Sequence, residues 1–527
     1  MTHQTITRAL LAAGAALSAT APIERAAAVT LNPQGTGQVL LFPFYTVNGQ
    51  NQTLISIANT TARAKAIAVH FREARNGRPV GNLNVYLAPF DTWTGAITQS
   101  LNGAGARLVV RDRSCTVPAI AGAQSDGVDF NSSGYTGANR DYPASTESQL
   151  GVIGRTREGF VEVIEMGELQ SGPGRLQFAE EVVTRTEGVP LDCHSIVDAW
   201  VATSAGAANP NWSDKPALNI DLPGGGLRGN AAIVNALMGT MFAYSAEALT
   251  GFYADRTAPG ALHQLNPYGP TLANANSGNG QVIATLLSAQ GNATTEIYTL
   301  PQPNADPVSL VLMQSRVLNE FVTDPALGAS NEWVLTFPTK SFYVDSQTST
   351  TPLRPFTSRF SDDGRADEKL LARAHDRGGR PYYFGDQGPC LDLATCKPPP
   401  LPNSVNVLAI TQASLTTDSD IFGAAIGGVA SNFVLEPYIE FAPDSVPVEP
   451  AGTLLIGFGD PSTVTAGDVT QSANYMIGPS GRRYFGLPVI GLSFTRYINR
   501  NVLPAAIANY AGENRHSGEL VTIPELP

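Results

Sequence analysis

The run Ala66-Ile67-Ala68-Val69-His70-Phe71-Arg72 decides the fold class. Ile67, Val69 and Phe71 fall on one face, and Ala68, His70 and Arg72 on the other, which is the period of two that a pleated strand imposes. The same alternation recurs where Leu83, Val85 and Leu87 are separated by Asn84 and Tyr86. Trp333, Leu335 and Phe337 alternate with Val334 and Thr336, and Ile490, Leu492 and Phe494 with Gly491 and Ser493. Between such runs stand Val47-Asn48-Gly49, Asn59-Thr60-Thr61 and Arg75-Asn76-Gly77, residues that tolerate the positive φ of tight turns. Ile233–Tyr244, broken at Met238-Gly239, reads as a hairpin of a second domain. Helical patterning is sparse, with short helices expected at Leu318–Val322 and Glu368–His375. Alternating strands need a facing sheet to bury their apolar side. The expectation is therefore a mainly β protein, built of immunoglobulin-like β-sandwich modules with long loops and few short helices.

Composition agrees with packed cores. Of 527 residues 43% are hydrophobic and 15% charged, which excludes a disordered polyelectrolyte. The formal net charge of -12 argues against a nucleic-acid partner, which would need a basic footprint. At the N-terminus, Arg8 precedes an apolar run from Ala9 to Ala21, and Ala26-Ala27-Ala28 offers small residues for cleavage after Ala28. That run falls short of the roughly 20 apolar residues that span a bilayer. Residues 1–28 are thus expected to be a signal peptide, and the chain to be exported: cell surface, extracellular or periplasmic. No second apolar stretch reaches membrane length, so no transmembrane anchor is expected.

Composition shifts suggest an N-terminal β-sandwich domain over 29–202, a Gly/Pro-rich linker over 203–230 and a central β domain over 231–358. A charged and Pro-rich excursion over 359–404 and a C-terminal β region over 405–527 follow. Residues 122–148, rich in Gly, Ser, Asn and Asp, read as a long exposed loop.

The four cysteines, Cys115, Cys193, Cys390 and Cys396, read as disulfides in an exported chain, with three connectivities open. Cys390 and Cys396 flank five residues and form the natural local pair, leaving Cys115 with Cys193. Zinc is disfavoured because there is no CxxC and no histidine at ligand spacing near residue 390.

Catalytic signatures are missing. There is no G-x-S-x-G elbow, no H-E-x-x-H and no phosphate-binding G-x-x-x-x-G-K-[ST]. Asp362, Asp363, Asp367 and Glu368 gather oxygen ligands within seven residues and make a weak calcium candidate, though their spacing departs from that of an EF-hand. A solvated charged loop is the plainer reading. Glu162, Glu165 and Glu168 lie along an expected strand, where Glu162 and Glu165 point to opposite faces; they read as an acidic surface. His194 beside Cys193 could form a thiol–imidazole pair, but the cysteine is better placed in a disulfide. Phe42-Pro43-Phe44-Tyr45 reads as core, and Tyr382-Tyr383-Phe384 as either core or an exposed aromatic grip. Asn51, Asn59, Asn131, Asn211 and Asn292 match the glycosylation pattern, without meaning in the bacterial source that the Ala-rich leader suggests.

Three segments, Gly37-Gln-Val-Leu-Leu-Phe-Pro-Phe-Tyr-Thr46, Asn331-Glu-Trp-Val-Leu-Thr-Phe-Pro-Thr-Lys340 and Phe485-Gly-Leu-Pro-Val-Ile-Gly491, resemble an uncharacterised family of exported or cell-surface proteins of proteobacteria. The resemblance implies a location and carries no site residues. The reading that follows is an exported, non-catalytic, surface-associated or envelope binding protein. Its partner would be an envelope or surface protein or an extracellular polymer, met through loops 122–148 and 359–386. The alternative is a secreted polysaccharide hydrolase whose carboxylate pair is assembled only by the fold.

Overall fold

A computed structural model describes residues 27–120, 127–136, 149–171, 179–186, 188–201, 211–287, 292–300, 305–345, 353–361, 363–384, 401–412, 415–437, 449–458, 474–499 and 509–523. Strand residues make up 49% and helical residues 9%, so the chain is mainly β, with few short helices.

Two sheets form a sandwich. The eight-stranded one runs Thr30–Leu31, Glu247–Thr250, Val39–Thr46, Glu158–Leu169, Lys65–Glu73, Pro79–Leu87, Cys115–Val117, with Ile220–Asp221 paired to Glu158–Leu169. The six-stranded one runs Thr240–Ser245, Leu227–Asn235, Gln52–Asn59, Thr92–Gln99, Ala106–Val109, Val128–Asp129. Ile67, Val69 and Phe71 point into the core between them and meet Ile55, Trp93 and Ile233 from the facing sheet. Ala66 and Ala68 point the other way, into a second core that includes Trp212, Leu262 and Val308. The eight-stranded sheet is therefore covered on both faces, and the opening segment alternates as its period of two requires.

The remaining large sheet has ten strands: Tyr510–Arg515, Ile490–Tyr497, Ala329–Thr336, Val405–Thr411, Ala430–Pro437, Pro381–Phe384, Leu371–Asp376, Ala451–Gly457, Arg316–Val322, Ser517–Glu519. Its first and last strands are separated in the chain by His516 alone, so the sheet rolls over until one bent segment closes it. Trp333, Leu335, Leu408, Phe433 and Leu454 fill its interior. Val334, on the opposite face from Trp333, packs with Leu492 and Phe494 into the sandwich core. The Thr336 hydroxyl donates to the Pro43 carbonyl at 2.6 Å and ties the two assemblies together.

Several expectations change. Strand pairing crosses the divisions drawn from composition: the Ile233–Tyr244 hairpin exists, but its first strand pairs with Gln52–Asn59, and Glu247–Thr250 pairs with Val39–Thr46. Strands from far downstream thus complete both sandwich sheets, and these pairings do not establish an immunoglobulin-like order. Within the expected linker, Ile220–Asp221 is a strand and Leu227 opens another. Of the expected loop 122–148, residues 127–136 are described; there Phe130 and Tyr135 are core, while Val128–Asp129 edges a sheet. The two expected helices are instead strands, Arg316–Val322 and Leu371–Asp376, because both hydrogen-bond to Ala451–Gly457. Val317 and Phe321 are buried four residues apart, a spacing that a helix face shares with one face of a strand.

One disulfide joins Cys115 to Cys193 across 78 residues of chain. Cys390 and Cys396 lie outside the described residues. No helix among the described residues is long and apolar enough to cross a membrane.

Candidate functional site

The charged excursion meets the rolled sheet at an open cleft of about 640 Å³, larger than hollows of about 450 and 360 Å³ elsewhere. One wall is the segment Ser358 to Asp367; the other holds Gly427, Gly428, Ser431 and Asn432. The first wall is held at its base by a buried carboxylate just beyond it. Glu368 accepts hydrogen bonds from the Thr357 amide at 2.8 Å, the Thr357 hydroxyl at 2.9 Å and the Asn474 side chain at 2.8 Å. A turn at Ser361 follows, closed by the Gly364 amide donating to the Ser361 carbonyl at 2.9 Å. The second wall is a tight turn in which the Gly428 amide donates to Ala425. Gly427 there has φ +77 with open space around it, a conformation that favours glycine.

Beneath the first wall lies Lys340, fully buried. Its ammonium donates to the carbonyls of Ala366 at 2.7 Å, Leu401 and Pro402 at 3.1 Å and Asn403 at 3.3 Å. Burial pulls its pKa down to about 8, opposed by the nearby Glu368 and Asp367 carboxylates. One side chain thus fastens the excursion to the segment entering Val405–Thr411. Across the cleft, Arg365 donates to the Gly427 carbonyl and sits 3.5 Å from Asp363.

The proposed calcium ligands do not converge here. Asp363 and Asp367 line the cleft, Glu368 is turned into the protein, and Asp362 lies outside the described residues. Among the described residues no group of three or more His, Cys, Asp or Glu side chains is placed to hold a metal ion.

Glu162 and Glu165 are not an acidic surface: both are buried. Glu162 pairs with Arg72. A bulge between Glu165 and Gly167 shifts the strand register, so that Glu165 and Glu168 both reach the buried Lys65 ammonium, at 2.7 and 3.0 Å. Gly167 holds φ +150 there, and a Cβ would meet the Asp221 carbonyl oxygen at 2.4 Å. Glu165 also accepts from the Gly224 and Gly225 amides at 3.0 and 2.8 Å. Burial pushes its pKa up to about 7, against the pull of Lys65. Glu332 is likewise raised to about 7 by burial, and accepts from Ser419 at 2.9 Å and from the Ile421 and Phe422 amides. Each of these carboxylates is engaged by internal donors and none lines the cleft.

Cys193 is in the disulfide, so the imidazole of His194 faces Asp198 at 3.5 Å instead of a thiol. Phe42, Phe44 and Tyr45 are core, as is Tyr382. The sequence reading found the charged wall but missed Lys340, Ser431 and Asn432. Only Gly427-Gly428 carried a local signal, that of a turn. Compared with protein-family models, with curated proteins and with solved structures, the chain gave no match.

Proposed function

We propose that the protein is an exported, non-catalytic, surface-associated or envelope binding protein, and that the cleft between Ser358–Asp367 and Gly427–Asn432 is its recognition site. One observation carries this reading. The cleft is lined by hydroxyls, an amide, guanidinium groups, glycine backbone and the carboxylates of Asp363 and Asp367, while the carboxylates whose pKa burial raises to about 7, such as Glu165 and Glu332, are committed elsewhere. A general acid or base needs a shifted pKa at the reacting centre, whereas binding needs only donors and acceptors held in place. The leader-like N-terminus and the resemblance to exported proteobacterial proteins support the location.

The polysaccharide hydrolase remains a second reading because two carboxylates, Asp363 and Asp367, do line the cleft. Against it, no aromatic side chain is among the lining residues to serve as a sugar platform, and Asp363 is held by Arg365 and Ser361. Cell fractionation with protease shaving separates the two. The binding reading predicts a surface-held chain that is inactive in glycan hydrolysis screens. A free monomer in the medium that cleaves a glycan, and loses activity on Asp367→Asn substitution, would replace it with the hydrolase.

A further inference from the structure

Beyond Asp367 the excursion continues as the strand Leu371–Asp376, in which Arg373 and His375 face outward and Leu371 is buried. Lys369, Arg373, His375 and Arg377 are exposed, whereas Ala372, Ala374 and Asp376 are buried. At about 3.3 Å per residue Arg373 and His375 stand roughly 7 Å apart along the strand, and Arg377 follows in the turn that ends it. Among the described residues, the positions that face Arg373 and His375 on Ala451–Gly457 carry no charge, while Asp367 is exposed two residues from Lys369. Leu455 stands opposite Arg373 and Thr453 opposite His375, both uncharged, and Pro381 flanks His375 on the other side. Asp376 points inward and is taken by Arg380 at 2.8 Å. On the Ala451–Gly457 side Glu320 stands opposite Thr453, two strands from His375 and about 10 Å away, and Glu449 lies two residues before Ala451, whose carbonyl accepts from the Arg377 amide. On the first wall stands Arg359, exposed and lining the cleft.

A strip of guanidinium and ammonium groups on a chain of net charge -12 runs against the molecule's overall charge. Screening over about 8 Å at physiological salt hides distant acids while leaving local contacts effective. The geometry points to a polyanionic glycan as the ligand: its carboxylates lie along Lys369, Arg373 and Arg377, and its hydroxyls enter the cleft. This inference rests on the binding reading above and names the chemistry of its partner. The cleft supports a glycan over other polyanions, since Ser358, Ser361, Ser431 and Asn432 offer the small donors and acceptors that sugar hydroxyls use. Nucleobases would call for an aromatic stacking surface, which the lining does not include.

The test uses purified full-length protein, alginate oligosaccharide as the polyuronate probe and dextran as the neutral control. Arg373→Glu/Arg377→Glu, Arg373→Lys/Arg377→Lys and unaltered chains are compared by calorimetry in about 0.15 and 1 M salt, where screening lengths are about 8 and 3 Å. Alginate binding that weakens at high salt, drops about tenfold or more on charge reversal and survives the lysine pair is the expected result. All these residues are exposed, so thermal unfolding midpoints should not move. Equal binding by the charge-reversed chain overturns the inference, as does stronger binding of single-stranded DNA or of phosphatidylglycerol vesicles than of alginate. Retention of the unaltered protein on source cells is measured alongside. Retention without alginate affinity overturns the ligand class alone, whereas loss of both overturns the binding reading as well.

Discussion

The sandwich and the rolled sheet each bury a lysine completely, and they neutralise it in different ways. Lys65, in the sandwich, lies between two carboxylates, Glu165 and Glu168. Lys340, under the cleft, lies among four carbonyl oxygens with no carboxylate in contact. A charge pair in low dielectric is strong, but removing one member leaves the other stranded; a cage of dipoles is weaker and leaves only dipoles behind. The sandwich is thus built to be rigid. The clasp under the cleft is built so that its loss can be partly absorbed.

The largest expected effect separates these two cases. Lys65→Ala leaves Glu165 without its cation in a site with no access to water, and should cost about 3–5 kcal/mol in urea unfolding. Adding Glu165→Gln should recover part of that loss, and a double variant no better than the single would break the charge-pair account. Lys340→Met should cost less, about 1–3 kcal/mol. The Leu401 carbonyl still accepts from Glu368, the Pro402 carbonyl from Ala366 and the Asn403 carbonyl from Asn406, so only the Ala366 carbonyl loses a sole donor. Its signature is local, with faster amide exchange in 358–368 and 401–403 and little change in the sandwich. Equal stability losses for the two lysines would remove the distinction.

Why the sequence revealed one half of this contrast and not the other follows from range. Ile67, Val69 and Phe71 announce their strand because the signal is local: alternate side chains on one chain segment. The segment Leu371–Asp376 hides its strand because its Leu, Ala and Arg composition favours a helix locally, and only pairing with Ala451–Gly457, some eighty residues on, overrides it. The same holds for charge. Glu162 and Glu165 look like surface residues until Arg72 is brought to the first, and Lys65, one hundred positions earlier, to the second. The Cys115–Cys193 pair was legible because few cysteines leave few choices. The charged wall of the cleft was legible by its composition, whereas Ser431 and Asn432 on the facing wall have no distinctive pattern.

A smaller effect sharpens the comparison through pH. Glu332 has its pKa raised from 4.5 to about 7, so between these values the folded chain holds a proton that the unfolded chain has lost. Its contribution to stability therefore falls as pH rises through that window. For Lys340 the pKa is lowered from 10.5 to about 8, so the unfolded chain holds the extra proton and stability rises across that interval. Glu332→Gln should flatten the acid-side slope and Lys340→Met the alkaline one, as read by denaturant unfolding at stepped pH. A slope unchanged by its own substitution would show that the group does not titrate as its burial implies.

The claim that matters most is that the cleft is where this protein meets its partner. Ser431→Trp places a large side chain in the cleft from a half-buried position on the Ala430–Pro437 strand. The direct measurement is retention of the purified variant on source cells, beside the unaltered protein and with thermal unfolding as a check on the fold. The account predicts that retention is lost while the unfolding midpoint stays within a few degrees. Full retention with the cleft filled would contradict it and move recognition to another face.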